Sequence, residues 1–200
     1  MILLQTHALR RLNVGPVDLV VAAGECVSVM GPSGAGKSVL LRMLADLDPH
    51  AGDASLEGAS CSGMPAPAWR RQVAYLPAES GWWSTRVGDH FVAGTDYATL
   101  FPKVGVAAEA AAWRVSRLST GERQRLALVR ALRPGVRALL LDEPTAGLDG
   151  ENVTRVETLL KQQLDTGIGI LMVTHDPAQA RRMASRHLVL HGGQLAEQSS

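Results

Sequence analysis

The sequence predicts an α/β fold: a mostly parallel β-sheet flanked by helices, with an N-terminal antiparallel β region and a small helical insert. Three observations carry this expectation. Two uninterrupted apolar runs, 138–141 and 168–173, alternate with stretches of helical spacing, as strands buried on both faces do. A glycine-rich stretch between Gly31 and Gly36 joins an apolar strand to a helical pattern. The 200 residues suffice for one sizeable core and leave no length for a second of the same kind, so a single domain over 1–200 is expected, with the helical insert at approximately 65–135.

Along the chain, residues 2–30 alternate apolar runs with turn signals at Gly15-Pro16 and Gly24, which predicts a short antiparallel β region ending in a strand at 26–30. After Ser38, the spacing of Leu40, Leu41, Leu44 and Leu47 predicts a helix that stops at Asp48-Pro49, where proline removes a backbone donor. Residues 58–117 are less regular, punctuated by Gly63, Pro65 and Pro67, with an Ala-rich stretch at 107–113 read as helical. From 119 the pattern gives a helix through Arg133, a strand at 138–141, a helix near 151–165 and a strand at 168–173. The tail, 187–190 and 194–196 around Gly192-Gly193, reads as a hairpin.

Composition excludes more than it assigns. Twenty Lys plus Arg against 19 Asp plus Glu leave no global basic field, and no nucleic-acid partner is expected. Cys26 and Cys61 lack metal-ligand spacing and read as reduced cytoplasmic thiols. The first residues lack a basic leader and a cleavage site, and no apolar stretch reaches the length of a bilayer span, so the chain is not expected to cross a membrane itself.

The chemistry lies in two places. Gly31-Pro32-Ser33-Gly34-Ala35-Gly36-Lys37-Ser38 fits the phosphate-loop pattern in the strand-to-helix context that the pattern requires, which makes the expected fold a P-loop NTPase. Glycines let successive N–H groups turn around phosphate oxygens, and the helix beginning near Gly36 adds its positive end. Lys37 is placed to reach the β- and γ-phosphates of ATP, and Ser38 to offer a hydroxyl to Mg²⁺. Asp142 and Glu143 end a buried strand at the sheet edge where ligands bind. Asp142 suits the Mg²⁺ shell and Glu143 the general base that takes a proton from water. A second reading of the two carboxylates is that they cap a following helix.

Leu118-Ser119-Thr120-Gly121-Glu122 opens a helix with a capping-box pattern, a sufficient structural reading by itself. It also resembles the signature of ATP-binding cassette (ABC) proteins, usually Leu-Ser-Gly-Gly-Gln, with Thr120 and Glu122 as replacements. Asp142-Glu143-Pro144 resembles the second nucleotide motif of that family, Ala146-Gly147-Leu148-Asp149 its dimer-contact loop, and Val173-Thr174-His175-Asp176 its switch histidine. The resemblance runs over nearly the whole chain, and it is to the ATP-binding subunits of ABC transporters of the small bacterial type. It implies a head-to-tail homodimer, or a dimer with a homologous ABC subunit, that sandwiches two ATP molecules. Ser119 and Gly121 would then contact the γ-phosphate of the opposite subunit, and His175 would hold the γ-phosphate in its own. It further implies separate transmembrane permease subunits, and a peripheral place on the cytoplasmic face of the inner or plasma membrane.

Departures from the family pattern are specific. No aromatic residue precedes Trp69, so the usual stacking partner of adenine is missing, and Leu9 or Arg10 would lie under the base. Ala78 stands where the family has a Gln that links Mg²⁺ and water to the transport partner; Glu79 is the adjacent candidate substitute. Trp82 and Trp83 fall where the family forms the groove for a partner's coupling helix, and core packing is an equally good reading of them. Beside the transporter subunit, a soluble Fe–S assembly ATPase and an envelope-remodelling ATPase are compatible with the same motifs.

Overall fold

The computed structural model describes residues 1–198. In chain order its elements are β1 (Ile2–Arg11), β2 (Val14–Val17), β3 (Val20–Ala22), β4 (Cys26–Met30), α1 (Lys37–Leu44), β5 (Ala51–Leu56), β6 (Ala59–Ser60), α2 (Ala66–Gln72) and β7 (Val73–Leu76). There follow α3 (Tyr97–Lys103), α4 (Thr120–Ala131), β8 (Ala138–Asp142), α5 (Gly150–Asp165), β9 (Gly169–Val173), α6 (Pro177–Met183), β10 (Arg186–His191) and β11 (Gln194–Glu197). Short 3₁₀ turns at Gly88–His90, Ala108–Ala112 and Val115–Arg117 carry the chain between β7 and α4.

Two sheets result. The six-stranded sheet has the order β11-β10-β4-β9-β8-β7 and is parallel except for the terminal β10–β11 hairpin. The second sheet is antiparallel, ordered β2-β1-β5-β6 with β3 also on β1. The side-chain period of two sends alternate residues of the parallel strands to opposite faces. Leu140 and Leu171 join Leu3, Leu9, Leu40 and Leu44 in the core beneath the antiparallel sheet and α1. Leu139, Leu141, Ile170 and Met172 face the other way, onto Phe101, Leu126 and Leu160 from the helices. Strands buried on both faces read as unbroken apolar runs, which is why β8 and β9 were legible.

Four expectations are corrected. β4 does not end the antiparallel region; it lies between β10 and β9 in the parallel sheet. Gly15-Pro16 lies inside β2 rather than at a turn, and the chain reverses at Leu12-Asn13, with Leu12 left-handed at φ 53°. α1 stops at Leu44, short of Asp48: Asp46 turns left-handed (φ 52°), and the amides of Asp46 and Leu47 donate to the carbonyls of Met43 and Arg42, both at 2.9 Å. That two-bond closure ends the helix although the apolar spacing continues to Leu47, which is 38% exposed. Finally, the stretch 65–135 is not helical throughout. β7 falls inside it and pairs parallel with β8 as the edge of the main sheet, and the Ala-rich stretch forms a 3₁₀ turn.

Candidate active site

The parallel topology places three loops side by side. β4, β9 and β8 are neighbours, with Val29 opposite Val173 and Val173 opposite Asp142. The residues that follow these strands, Gly31 onward, Thr174-His175 and Glu143, therefore emerge together at the carboxyl edge of the sheet.

Close approach dictates glycine in the first loop. A Cβ on Gly31 (φ 147°) would come within 2.2 Å of the Leu190 carbonyl oxygen, and one on Gly36 (φ 98°) within 2.2 Å of Val14 Cγ2. Gly36 is the N-cap of α1 without any side-chain cap, which leaves the first-turn amides to the loop. Lys37, 7% exposed, folds back over it, its Nζ donating to the carbonyls of Gly31 (2.8 Å) and Pro32 (2.9 Å).

Asp142 and Glu143 do not cap a helix. α5 begins seven residues beyond Glu143, and its N-cap is Asp149, which accepts from the Asn152 amide at 2.9 Å. Asp142 is 5% exposed and accepts a hydrogen bond from the Tyr75 hydroxyl at 3.2 Å. Burial, reinforced by that carboxylate, pushes the ionisation of Tyr75 up, so the phenol stays a donor. Glu143 sits in the left-handed region (φ 51°), held by its amide on the Val173 carbonyl (3.0 Å) and by Gln124 Nε2 reaching its own carbonyl at 3.4 Å. Its Oε2 faces the His175 amide at 3.4 Å, while its buried Oε1 has no hydrogen-bond partner and lies 3.5 Å from His175 Nε2. Burial raises the Glu143 carboxyl above its ordinary range, with His175 the chief opposing influence.

One cleft of ≈ 380 Å³ thus gathers Lys37, Ser38, Asp142, Glu143, His175 and Ala78. Ser33, Gly34 and Gly36 line its loop side. Ser119 and Gly121 are not among its walls. They open α4, where Ser119 accepts from the Glu122 amide (3.2 Å) and Glu122 accepts from the Ser119 amide (2.8 Å), the reciprocal capping box read from the sequence. A Cβ on Gly121 would lie 3.2 Å from Leu148 Cδ2, so the start of this helix abuts the exposed loop around Ala146 and Gly147. Glu79 is exposed and is not a wall of the cleft. Leu9, fully buried, cannot present a face to a base, whereas Arg10 is exposed. Trp83 is 72% exposed and Trp82 half-buried. The Arg130 guanidinium lies 4.9 Å from the Trp82 ring and 4.8 Å from that of Trp83, and Trp83 borders a second cavity of ≈ 380 Å³. Tyr75 and Gln124 had no signal in the sequence, because each meets its partner across elements far apart in the chain.

This arrangement is suited to a phosphate ester and a hard cation. It combines a turn of backbone amides and an ammonium with a hydroxyl and a nearly buried carboxylate, and a second carboxylate has an oxygen without a hydrogen bond. The chain is 39% identical to the aliphatic sulfonates import ATP-binding protein SsuB 2 of Frankia alni, over 91% of this chain and 72% of that protein. It is 34% identical to the phosphate import ATP-binding protein PstB 2 of Natronomonas pharaonis, over 90% of this chain and 72% of that protein. A solved structure described as the ATP binding subunit of an ABC transporter superposes with TM-score 0.87 at 25% identity, covering 98% of this chain and 90% of that one. The family model described as ABC transporter matches residues 14–146, and the chain belongs to that family.

Proposed function

We propose that this chain binds and hydrolyses ATP to energise transport through separate membrane-spanning subunits. The observation that carries the reading is the convergence of Lys37, Ser38, Asp142, Glu143 and His175 in one cleft at the sheet edge. The relatives named above are import ATP-binding proteins, which supports transport over Fe–S assembly or envelope remodelling.

In this reading residues Gly31 to Ser38 wrap the β- and γ-phosphates with amides, and Lys37 exchanges its two carbonyl contacts for phosphate oxygens. Ser38 and Asp142 would hold Mg²⁺, and Tyr75 fixes the Asp142 carboxylate from behind. The cation, when bound, draws charge from the phosphates at the bond that breaks. Glu143 takes the proton of the attacking water, a task for which a carboxyl raised by burial is the better base. His175 holds the γ-phosphate from the next strand end. Ser119, exposed, and Gly121, half-buried, both outside the cleft, serve the γ-phosphate of the other subunit of a homodimer, or of a dimer with a homologue.

Residues 1–200 form one ABC ATPase domain, whose helical part spans approximately 65–135 apart from β7. Among the described residues no helix is long and apolar enough to cross a membrane. We place the subunit peripherally on the cytoplasmic face of the inner or plasma membrane. Its contact with the permease is the cavity beside Trp83, lined by Phe91, Leu100 and Val129 together with Arg130, Arg133 and Asp96. An amphipathic helix with acidic residues complements an apolar lining that carries two arginines against one aspartate. Purification from detergent-solubilised membranes tests the reading: a polytopic membrane protein should co-purify with the subunit, and recovery solely from the soluble fraction, with no membrane partner, would refute it.

A further inference from the structure

The segment that leads from the cleft to the Trp83 cavity is organised by one imidazole. His90, 5% exposed at the end of the 3₁₀ turn, accepts at Nε2 from the backbone amides of both Trp83 and Ser84, each at 2.9 Å. Its Nδ1 lies 3.0 Å from the Arg86 carbonyl oxygen and 3.3 Å from that of Val87. A ring nitrogen that accepts two N–H bonds carries no proton, and one that faces two carbonyls must carry one. The ring is therefore neutral, with its hydrogen on Nδ1. The Trp82 and Trp83 rings pack against it, with centroids at 4.7 and 4.6 Å and tilts of 67° and 60°.

We infer that His90 is a positioning residue for the Trp82–Trp83 face, holding the 82–84 backbone in place through its unprotonated Nε2. A second proton would turn Nε2 from acceptor to donor and leave two amides facing it, which releases the segment. Charged and polar groups from the neighbouring elements surround the ring. Arg130 reaches over both tryptophans from α4, and Arg133 is among the residues that line the cavity. Asp89 is engaged by the Ser84 hydroxyl at 2.7 Å, the Tyr97 hydroxyl donates to the Gly88 carbonyl at 3.2 Å, and Asp96 lies on the cavity wall. The clamp stands on this geometry alone; only the identity of its user, the membrane partner, rests on the proposed function.

Isotope-edited NMR of the isolated subunit tests it. The His90 ring should show a protonated Nδ1 and an unprotonated Nε2, and the Trp83 and Ser84 amides should resist hydrogen exchange. His90→Phe keeps the ring and deletes the acceptor, so protection at those two amides should fall by about tenfold or more. The β8 and β9 amides should keep wild-type values, which separates release of the clamp from unfolding. His90→Gln, whose amide oxygen can accept, should restore part of the protection. A hydrogen on Nε2, or equal protection of both amides in wild type and His90→Phe, would overturn the inference. If the clamp is observed and its release leaves membrane-partner binding untouched, the docking face assigned above is wrong while the positioning of the 82–84 backbone by His90 stands.

Discussion

Substituting glutamine at Ala78 tests how the cleft positions its water. Ala78 lines the cleft with Asp142, Glu143 and His175, and a methyl group can neither orient water nor join a cation's shell. The position is exposed and the cleft holds ≈ 380 Å³, so a side chain longer by a methylene and an amide enters without displacing the core. Glu79 is no wall of the cleft and leaves the deficit in place. One positioning contact regained in the transition state, at about 1.4 kcal/mol, is a factor of roughly ten in rate. Ala78→Gln should therefore raise steady-state ATP hydrolysis at saturating Mg-ATP about tenfold, and Glu79→Ala should change it less than about twofold. The reasoning fails if Ala78→Gln leaves the rate unchanged, and most clearly if Glu79→Ala abolishes it, since Glu79 would then already serve.

Other perturbations test separate parts of the account. Gly36→Ala meets Val14 Cγ2 at 2.2 Å and a φ of 98°, so left-handed strain of about 1–2 kcal/mol and overpacking of about 1–3 kcal/mol should both lower its urea stability. Adding Val14→Ala should relieve the overpacking while the strain remains. Ser119→Arg should cost about 1 kcal/mol of stability through the lost cap, leave ATP binding by the isolated subunit intact and block turnover; equal loss of binding and turnover would mean that the segment acts only as a cap or only within its own subunit. Burial raises the Glu143 carboxyl, so the folded state favours its protonated form, a contribution present below the ordinary glutamate range and lost as pH rises through the raised value. Glu143→Gln, neutral throughout, should then melt above wild type at neutral pH, and the gap should close as the pH falls below about 4. A gap independent of pH would mean that the carboxyl is not the cause.

The legible parts of this fold are those where local pattern and tertiary role coincide. β4, β8 and β9 are buried on both faces and read as apolar runs, and the loop after β4 combines glycines demanded by close approach with a lysine and a serine. β5 escaped notice because Gly52 and Asp53 are poor strand formers, and only pairing with β1 from residue 51 to 56 makes it a strand. β7 was hidden between a short helix and Pro77, and its place in the sheet depends on β8, some 60 residues later. The end of α1 is not legible in the sequence, because apolar spacing carries no information on a left-handed residue at Asp46. In the site, motif order yielded Lys37, Ser38, Asp142, Glu143 and His175, but not the supports of Asp142 and Glu143. Tyr75 and Gln124 act only through geometry that brings β7 beside β8 and α4 beneath Glu143.

The central claim is that one subunit binds ATP through its own loop and completes the hydrolytic site with the signature helix of another. The direct test is the mass of Glu143→Gln by light scattering, with and without saturating Mg-ATP. Removing only the proton acceptor should leave binding intact and trap the sandwich, so the variant should be monomeric without nucleotide and dimeric with it, and Lys37→Ala added to the same chain should return it to monomer. A Glu143→Gln variant that binds ATP yet stays monomeric, alone and when mixed with a homologous ATP-binding subunit, would contradict the account.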